Sequence, residues 1–173
     1  MDIIWAPWRM KYIKSNNEKN RKKECVFCEK LSNKKDDKKN YILFRNKFVC
    51  VIMNIYPYNN GHLMVVVNRH VRDFTGLTQE EIYQLGNMIK LSLKIIKKVM
   101  KPNGFNIGIN IGYAGGAGVV NHLHVHIVPR WIGDSNFMPV IGKTKVICEL
   151  LDDTYSKLRK EFLNININNG VSD

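Results

Sequence analysis

The chain holds five histidines. Three of them, His122, His124 and His126, stand at alternate positions of a short apolar segment, HLHVHIV. Side chains alternate across a β-strand, so the spacing predicts three imidazoles on one face and Leu123, Val125 and Ile127 on the other. Three adjacent imidazoles make poor core filler. They suit either a metal cluster or a nucleophilic imidazole that its neighbours hold in one tautomer. The preceding loop, YAGGAGVVN (113–121), would by itself serve equally as a flexible hairpin connection. Beside the histidines it favours chemistry at phosphorus, because Gly112, Gly115, Gly116 and Gly118 let backbone N–H groups approach an anion closely.

The cysteines are Cys25, Cys28, Cys50 and Cys148, and only the first two are close together. The opening MDIIWAPWRMKYI lacks a signal peptide's unbroken apolar stretch, and no apolar run approaches the roughly 18 residues of a membrane span. A cytoplasmic protein is therefore expected, and in that setting Cys-x-x-Cys reads as a metal half-site or a redox pair.

Short β-branched and aromatic runs at 41–45 and 48–54, separated by Asn46-Lys47, predict a hairpin. Turn chemistry at 57–61 leads to a third strand at 63–67. Thr78 and Glu81 form a capping box, and Ile82, Leu85, Ile89, Leu93, Ile96 and Met100 recur at helical spacing up to Pro102, predicting one long helix. Strands follow at 104–112 and 122–131 on either side of the Gly-rich loop. Ile147, Leu150, Leu151, Tyr155, Leu158 and Phe162 fit a C-terminal amphipathic helix, and 164–173 reads as a frayed tail. The order implies an α+β domain with a mostly antiparallel, five-stranded sheet.

At 173 residues, the chain has room for a single domain, 1–173, with an N-terminal extension over 1–40. Its 45% hydrophobic and 24% charged content excludes a disordered or fibrous protein. The net charge of +12 favours an anionic partner. Between 14 and 40 the basic residues are mixed with Glu18, Glu24, Glu29, Asp36 and Asp37, so this stretch reads as a solvated connector and not as a nucleic-acid stripe.

These residues together resemble the histidine triad family of nucleotide-binding hydrolases and transferases, whose motif His-φ-His-φ-His-φ-φ, with φ apolar, matches 122–128. The segment PYNNGHLMVVV (57–67) looks like the family's Gly-His strand, and NIGYAGGAG (110–118) like its phosphate loop. The opening WAPWRMKYI and the stretch 131–146 are similar to the bacterial and mycobacterial branch that contains diadenosine tetraphosphate phosphorylases. The resemblance spans nearly the whole chain and implies the histidine triad fold.

It also implies roles. His124 would be the nucleophile on the α-phosphate, with His126 and His122 completing the catalytic triad. Asn54 would hold the ribose, while Asn110, Gly116 and Gly118 would hold phosphates. Trp131 could lie against a base or serve as packing. His62 reads as a structural histidine beside a turn. In zinc-bearing relatives the ligand positions match Cys25, Cys28, His70 and His122, which implies a structural Zn2+ and no metal requirement for the chemistry.

The expected activity is cleavage of a dinucleoside polyphosphate, diadenosine tetraphosphate foremost, by phosphate or by water. The flanking segments favour phosphate. Hydrolysis of AMP-amines and non-catalytic nucleotide sensing are the alternatives. Ala117-Gly118 stands where eukaryotic members usually carry Gln or Ser, which leaves substrate choice open. His126 in place of Gln argues against the galactose-1-phosphate uridylyltransferases. Family members pair two protomers through one continuous sheet, so a homodimer is expected, with no membrane or nucleic-acid partner.

Overall fold

The computed structural model describes residues 25–134, 141, 147 and 149–168. The opening segment 5–13, the stretch 135–140, residues 142–146, Cys148 and the tail 169–173 lie outside the described residues.

The sheet contains β1 (Ile42–Arg45), β2 (Val49–Met53), β3 (Leu63–Val67), β4 (Gly104–Ile109) and β5 (His124–Arg130). Its order is β1-β2-β3-β5-β4, and every neighbouring pair is antiparallel. The β1–β2 turn is fixed by the Asn46 side-chain oxygen, which accepts from the N–H groups of Phe48 at 2.9 Å and Val49 at 2.8 Å. Such a side chain supplies turn hydrogen bonds that the backbone alone would leave open.

Strands β2 and β3 are buried throughout, which explains their unbroken apolar runs. One face carries Val49, Val51, Met53, Leu63, Val65 and Val67 against two helices, α2 (Gln79–Met100) and α3 (Leu151–Asn168). The other carries Cys50, Ile52, Met64 and Val66, packed with Ile42 and with Phe27 of a short helix, α1 (Val26–Ser32). Strand β5 obeys the same alternation. Val125 and Ile127 enter the helical core, whereas His124 pairs with Val66 and His126 with Met64 on the α1 side.

Helix α2 begins as expected: Thr78 and Glu81 form the full capping box, and Lys101 ends the helix in the left-handed region at φ +48°. Arg69 reinforces this start by donating to both carboxylate oxygens of Glu81, at 2.9 and 2.8 Å. Helix α3 closes over the β1 edge, where Tyr155 Oη donates to the Ile42 carbonyl at 3.2 Å.

Several boundaries differ from the expectation. The stretch read as a connector contains α1 and a 3-10 turn at Lys34–Asp36. Phe27 gives it an anchor in the core, and the Arg45 guanidinium holds the Lys30 and Leu31 carbonyls. Helix α3 starts at Leu151, so Ile147 and the exposed Leu150 precede it, and it runs on to Asn168 into the stretch read as frayed. Strand β5 starts at His124, leaving His122 in the turn before it.

Candidate active site and metal centre

Four of the histidines, His62, His122, His124 and His126, are each held in one tautomer by a hydrogen-bond partner. His124 donates Nδ1–H to the His122 carbonyl at 2.8 Å, so its Nε2 keeps the lone pair. His62 accepts the Tyr58 N–H on Nδ1 at 3.0 Å, which places its proton on Nε2. That proton is donated to Nδ1 of His126 at 2.9 Å, leaving His126 protonated on Nε2. The triad strand therefore offers one basic nitrogen on His124 and one N–H on His126.

The rings support one another. Those of His124 and His126 meet edge to face at 4.8 Å, and Tyr58 lies 4.7 Å from His62 and 5.8 Å from His126. Phe27 covers His124 at 5.0 Å. Burial lowers the pKa of His124, opposed by its bond to the His122 carbonyl. Burial, with the nearby His124, pushes His126 down to about 4. Both imidazoles are thus neutral near pH 7, the form a nucleophile needs.

His124 and His126 line a cavity of about 300 Å³. Its apolar wall comes from Val26, Phe27, Ile52, Met64 and Val119, and polar groups reach it from Lys30, Asn54 and Gly118. A largely apolar pocket with a few convergent polar groups is the usual form of a small-molecule site.

His122 faces away from this cavity. Its Nε2–H donates to the Val67 carbonyl at 2.7 Å, which turns the Nδ1 lone pair toward Cys25 Sγ at 3.2 Å and Cys28 Sγ at 3.5 Å. His70 Nδ1 lies 3.2 Å from Cys28 Sγ. The ligand atoms of Cys25, Cys28, His70 and His122 all fall within 4.8 Å of one another, and these residues could hold a metal ion. The sulfur–nitrogen spacings approach the roughly 3.6 Å edge of a tetrahedron built from zinc bond lengths. The Val67 carbonyl is the kind of outer partner that fixes the tautomer of a metal-binding histidine.

The structure thus gathers His124, His126, Asn54 and Gly118 at one cavity and Cys25, Cys28, His70 and His122 at one cluster. Asn54 is tied locally: its side chain lies 3.4 Å from His62 Nδ1 and accepts the Tyr56 N–H at 2.9 Å. Gly116 sits in the exposed turn with φ +80° and donates to the Tyr113 carbonyl. Asn110 is half-buried just past the end of β4. Trp131 follows the far end of β5, about 23 Å from His124 at the rise of a strand, where its N–H donates to Asp134.

Sequence reasoning missed α1 as a wall of the cavity, together with Ile52, Met64, Tyr56 and Tyr58. Ile52 and Met64 could have been found from parity, since strands paired with the histidine strand must send alternate residues to the same face. It also missed that His62 bonds to His126.

An antiparallel sheet carrying alternating histidines beneath a short helix defines the histidine triad class of α+β proteins. The HIT domain family model matches residues 35–131. The chain is 40% identical over 166 residues to a Mycobacterium tuberculosis protein named AP-4-A phosphorylase, covering 92% of this chain and 83% of the relative. This chain belongs to the HIT family. Among solved structures, a zinc-bound histidine triad family protein from Mycobacterium smegmatis superposes with a TM-score of 0.67 at 23% identity, covering 84% of this chain and 97% of that one. A hypothetical histidine triad nucleotide-binding protein from Sulfolobus tokodaii gives 0.66 at 25% identity, over 86% and 99%.

Proposed function

We propose that this chain is an enzyme that cleaves dinucleoside polyphosphates, diadenosine tetraphosphate foremost, at the α-phosphate through a nucleotidyl-histidine on His124. The observation that carries this reading is the His124 Nδ1–H bond to the His122 carbonyl, which leaves Nε2 as the nucleophile on a ring lining the cavity. Similarity to a protein named AP-4-A phosphorylase over most of both chains supports the substrate class and favours inorganic phosphate as acceptor.

In the first step the Nε2 lone pair bonds to the α-phosphorus, the bond from phosphorus to the bridging oxygen breaks, and ATP leaves with that electron pair. His126 Nε2–H stands beside the reacting group and donates to the oxygen charge that builds there. A phosphate oxygen then attacks the same phosphorus, the N–P bond breaks, and ADP is released as His124 recovers its lone pair. Water in place of phosphate gives AMP.

The Cys25, Cys28, His70 and His122 set suits a zinc ion, and the resemblance of the fold to a zinc-bound histidine triad protein supports that identity. With four protein ligands such an ion has a structural role, tying α1 to the segment before β5. A reducing cytoplasm would keep its thiolates available. Strand β4 pairs only with β5 among the described residues and exposes Ile107, so a second copy adding its own β4 there is the proposed homodimer.

The deciding experiment incubates the protein with diadenosine tetraphosphate, with and without inorganic phosphate, beside His124→Ala. ADP formed only with phosphate and lost in the variant is the expected result. AMP and ATP without phosphate would make the chain a hydrolase. No turnover in either condition would overturn the dinucleotide reading.

A further inference from the structure

Two aromatic rings flank the paired imidazoles of β5 from opposite ends. Phe27 meets His122 at 5.4 Å and His124 at 5.0 Å, whereas Tyr58 meets His62 at 4.7 Å and His126 at 5.8 Å. The register explains this order. Strand β3 passes His126 at Met64 before it reaches His124 at Val66, so the turn that precedes β3 lies beyond His126. The two rings differ in burial: Phe27 is 4% exposed and Tyr58 is 53% exposed.

Tyr58 is held in place despite its exposure. Its N–H donates to His62 Nδ1 at 3.0 Å, and Pro57 restricts the backbone before it. Its ring is tilted by 35° from that of His62 and by 32° from that of His126, so one side of it rests on the imidazoles. Among the described residues its ring contacts are with these two imidazoles alone. A tyrosine restrained in this way loses little freedom when a ligand stacks on its open side.

The proposed substrate class supplies such a ligand. A dinucleoside polyphosphate carries two bases, separated by the phosphate chain. The cavity of about 300 Å³ is at the lower limit of small-molecule sites, and its buried wall of Phe27, Ile52 and Met64 suits one nucleoside. The second nucleoside, which departs with the leaving phosphates, then lies outside that wall. His126 Nε2–H faces the charge that builds in the reaction, and the ring next beyond His126 is Tyr58. An aromatic face stacks on any base. Resting on the dinucleotide reading above, we propose that Tyr58 is the platform for the second nucleoside, stacking on its base and giving dinucleotides an affinity that mononucleotides do not gain.

Calorimetry on the full chain carrying His124→Ala, which blocks turnover, tests this with diadenosine tetraphosphate, adenosine 5′-tetraphosphate and AMP. The second ligand keeps the phosphate chain and lacks the second nucleoside. Adding Tyr58→Leu should weaken diadenosine tetraphosphate about fivefold or more and leave the other two ligands within about twofold. Tyr58→Phe, which keeps the ring, should bind diadenosine tetraphosphate as the parent does. An equal loss for all three ligands would mean that Tyr58 acts only through His62 and His126, and would overturn the inference. Unchanged diadenosine tetraphosphate affinity in Tyr58→Leu, or a Tyr58→Phe chain as weak as Tyr58→Leu, would also overturn it. A parent that binds AMP alone would overturn the dinucleotide reading beneath it, and one that binds none of the three would overturn the nucleotide reading itself.

Discussion

The carbonyl of His122 accepts the Nδ1–H of His124 at 2.8 Å, while the His122 ring points the other way into the thiols of Cys25 and Cys28. One residue therefore joins the cluster that could hold a metal to the proposed nucleophile, through its backbone on one side and its ring on the other.

With the proposed metal bound by this cluster, its removal should consequently disturb the cavity without touching a residue that lines it. Cys28→Ser, or chelator-stripped protein, is expected to weaken AMP binding and slow turnover by about ten- to a hundredfold, the scale on which partners around metal ligands act. Amide hydrogen exchange over α1 should accelerate in parallel, since Cys25 and Cys28 would no longer be tied through the metal at the start of the helix. Unchanged exchange in the stripped protein would show that the cluster does not secure α1.

His62 has a second, separable part. It is 1% exposed and passes the Tyr58 N–H bond on to His126. Changing His62→Ala removes the partner of the part-buried Tyr58 N–H and His126 Nδ1, at a cost of about 0.5–1.5 kcal/mol each in stability. If the only role were structural, kcat of the folded fraction would not change. Because His62 sets the tautomer of His126, kcat should instead fall about ten- to a hundredfold with little change in KM. Steady-state kinetics at a temperature where the variant is folded separates the two.

The depressed pKa of His126 makes the fold sensitive to acid. The folded form titrates at about 4 because of burial and the neighbouring His124, against 6.5 in the ordinary state. Between those values the unfolded chain binds more protons, so stability rises with pH. The contribution is complete above pH 6.5 and is lost as pH falls through 6.5 toward 4. Urea midpoints measured across this window should fall with acid in the wild type, and less steeply in His126→Gln. Parallel slopes would assign the loss to other groups.

The sequence made much of this legible. Alternation at 122–128 placed Val125 and Ile127 in the core and His124 and His126 opposite, because side-chain parity in a buried strand is fixed. The capping box at Thr78 and Glu81 marked the start of α2 because both partners are local in sequence. Helix α1 was hidden because it is short and its stability is long-range: Phe27 inserts over β2 and β3, and Arg45 holds its last carbonyls. The His62–His126 bond was hidden for the same reason, since only the β3–β5 pairing brings position 62 beside position 126. His122 departs from the parity argument because β5 begins after it.

The glycine that leads into His62 offers a last test of how the fold aims this site. Gly61 sits at φ +69°, and a Cβ there would press on the Met100 thioether at the end of α2. The thioether is flexible and can shift, so the backbone conformation carries most of the penalty, about 1–2 kcal/mol for a residue with a side chain. For a chain of this size Gly61→Ala should lower the melting temperature by about 2–8 °C. It should also reduce kcat, because the same turn carries the Tyr58 N–H bond to His62. Gly86 in α2 is the contrasting case. It is exposed and nothing lies within 4 Å of the added atom, so Gly86→Ala should stabilise by about 0.5–1 kcal/mol and leave kcat unchanged. Thermal melts of the two variants with parallel kinetics decide the matter: a Gly61→Ala protein with wild-type stability and kcat would show that this turn does not hold His62 in place.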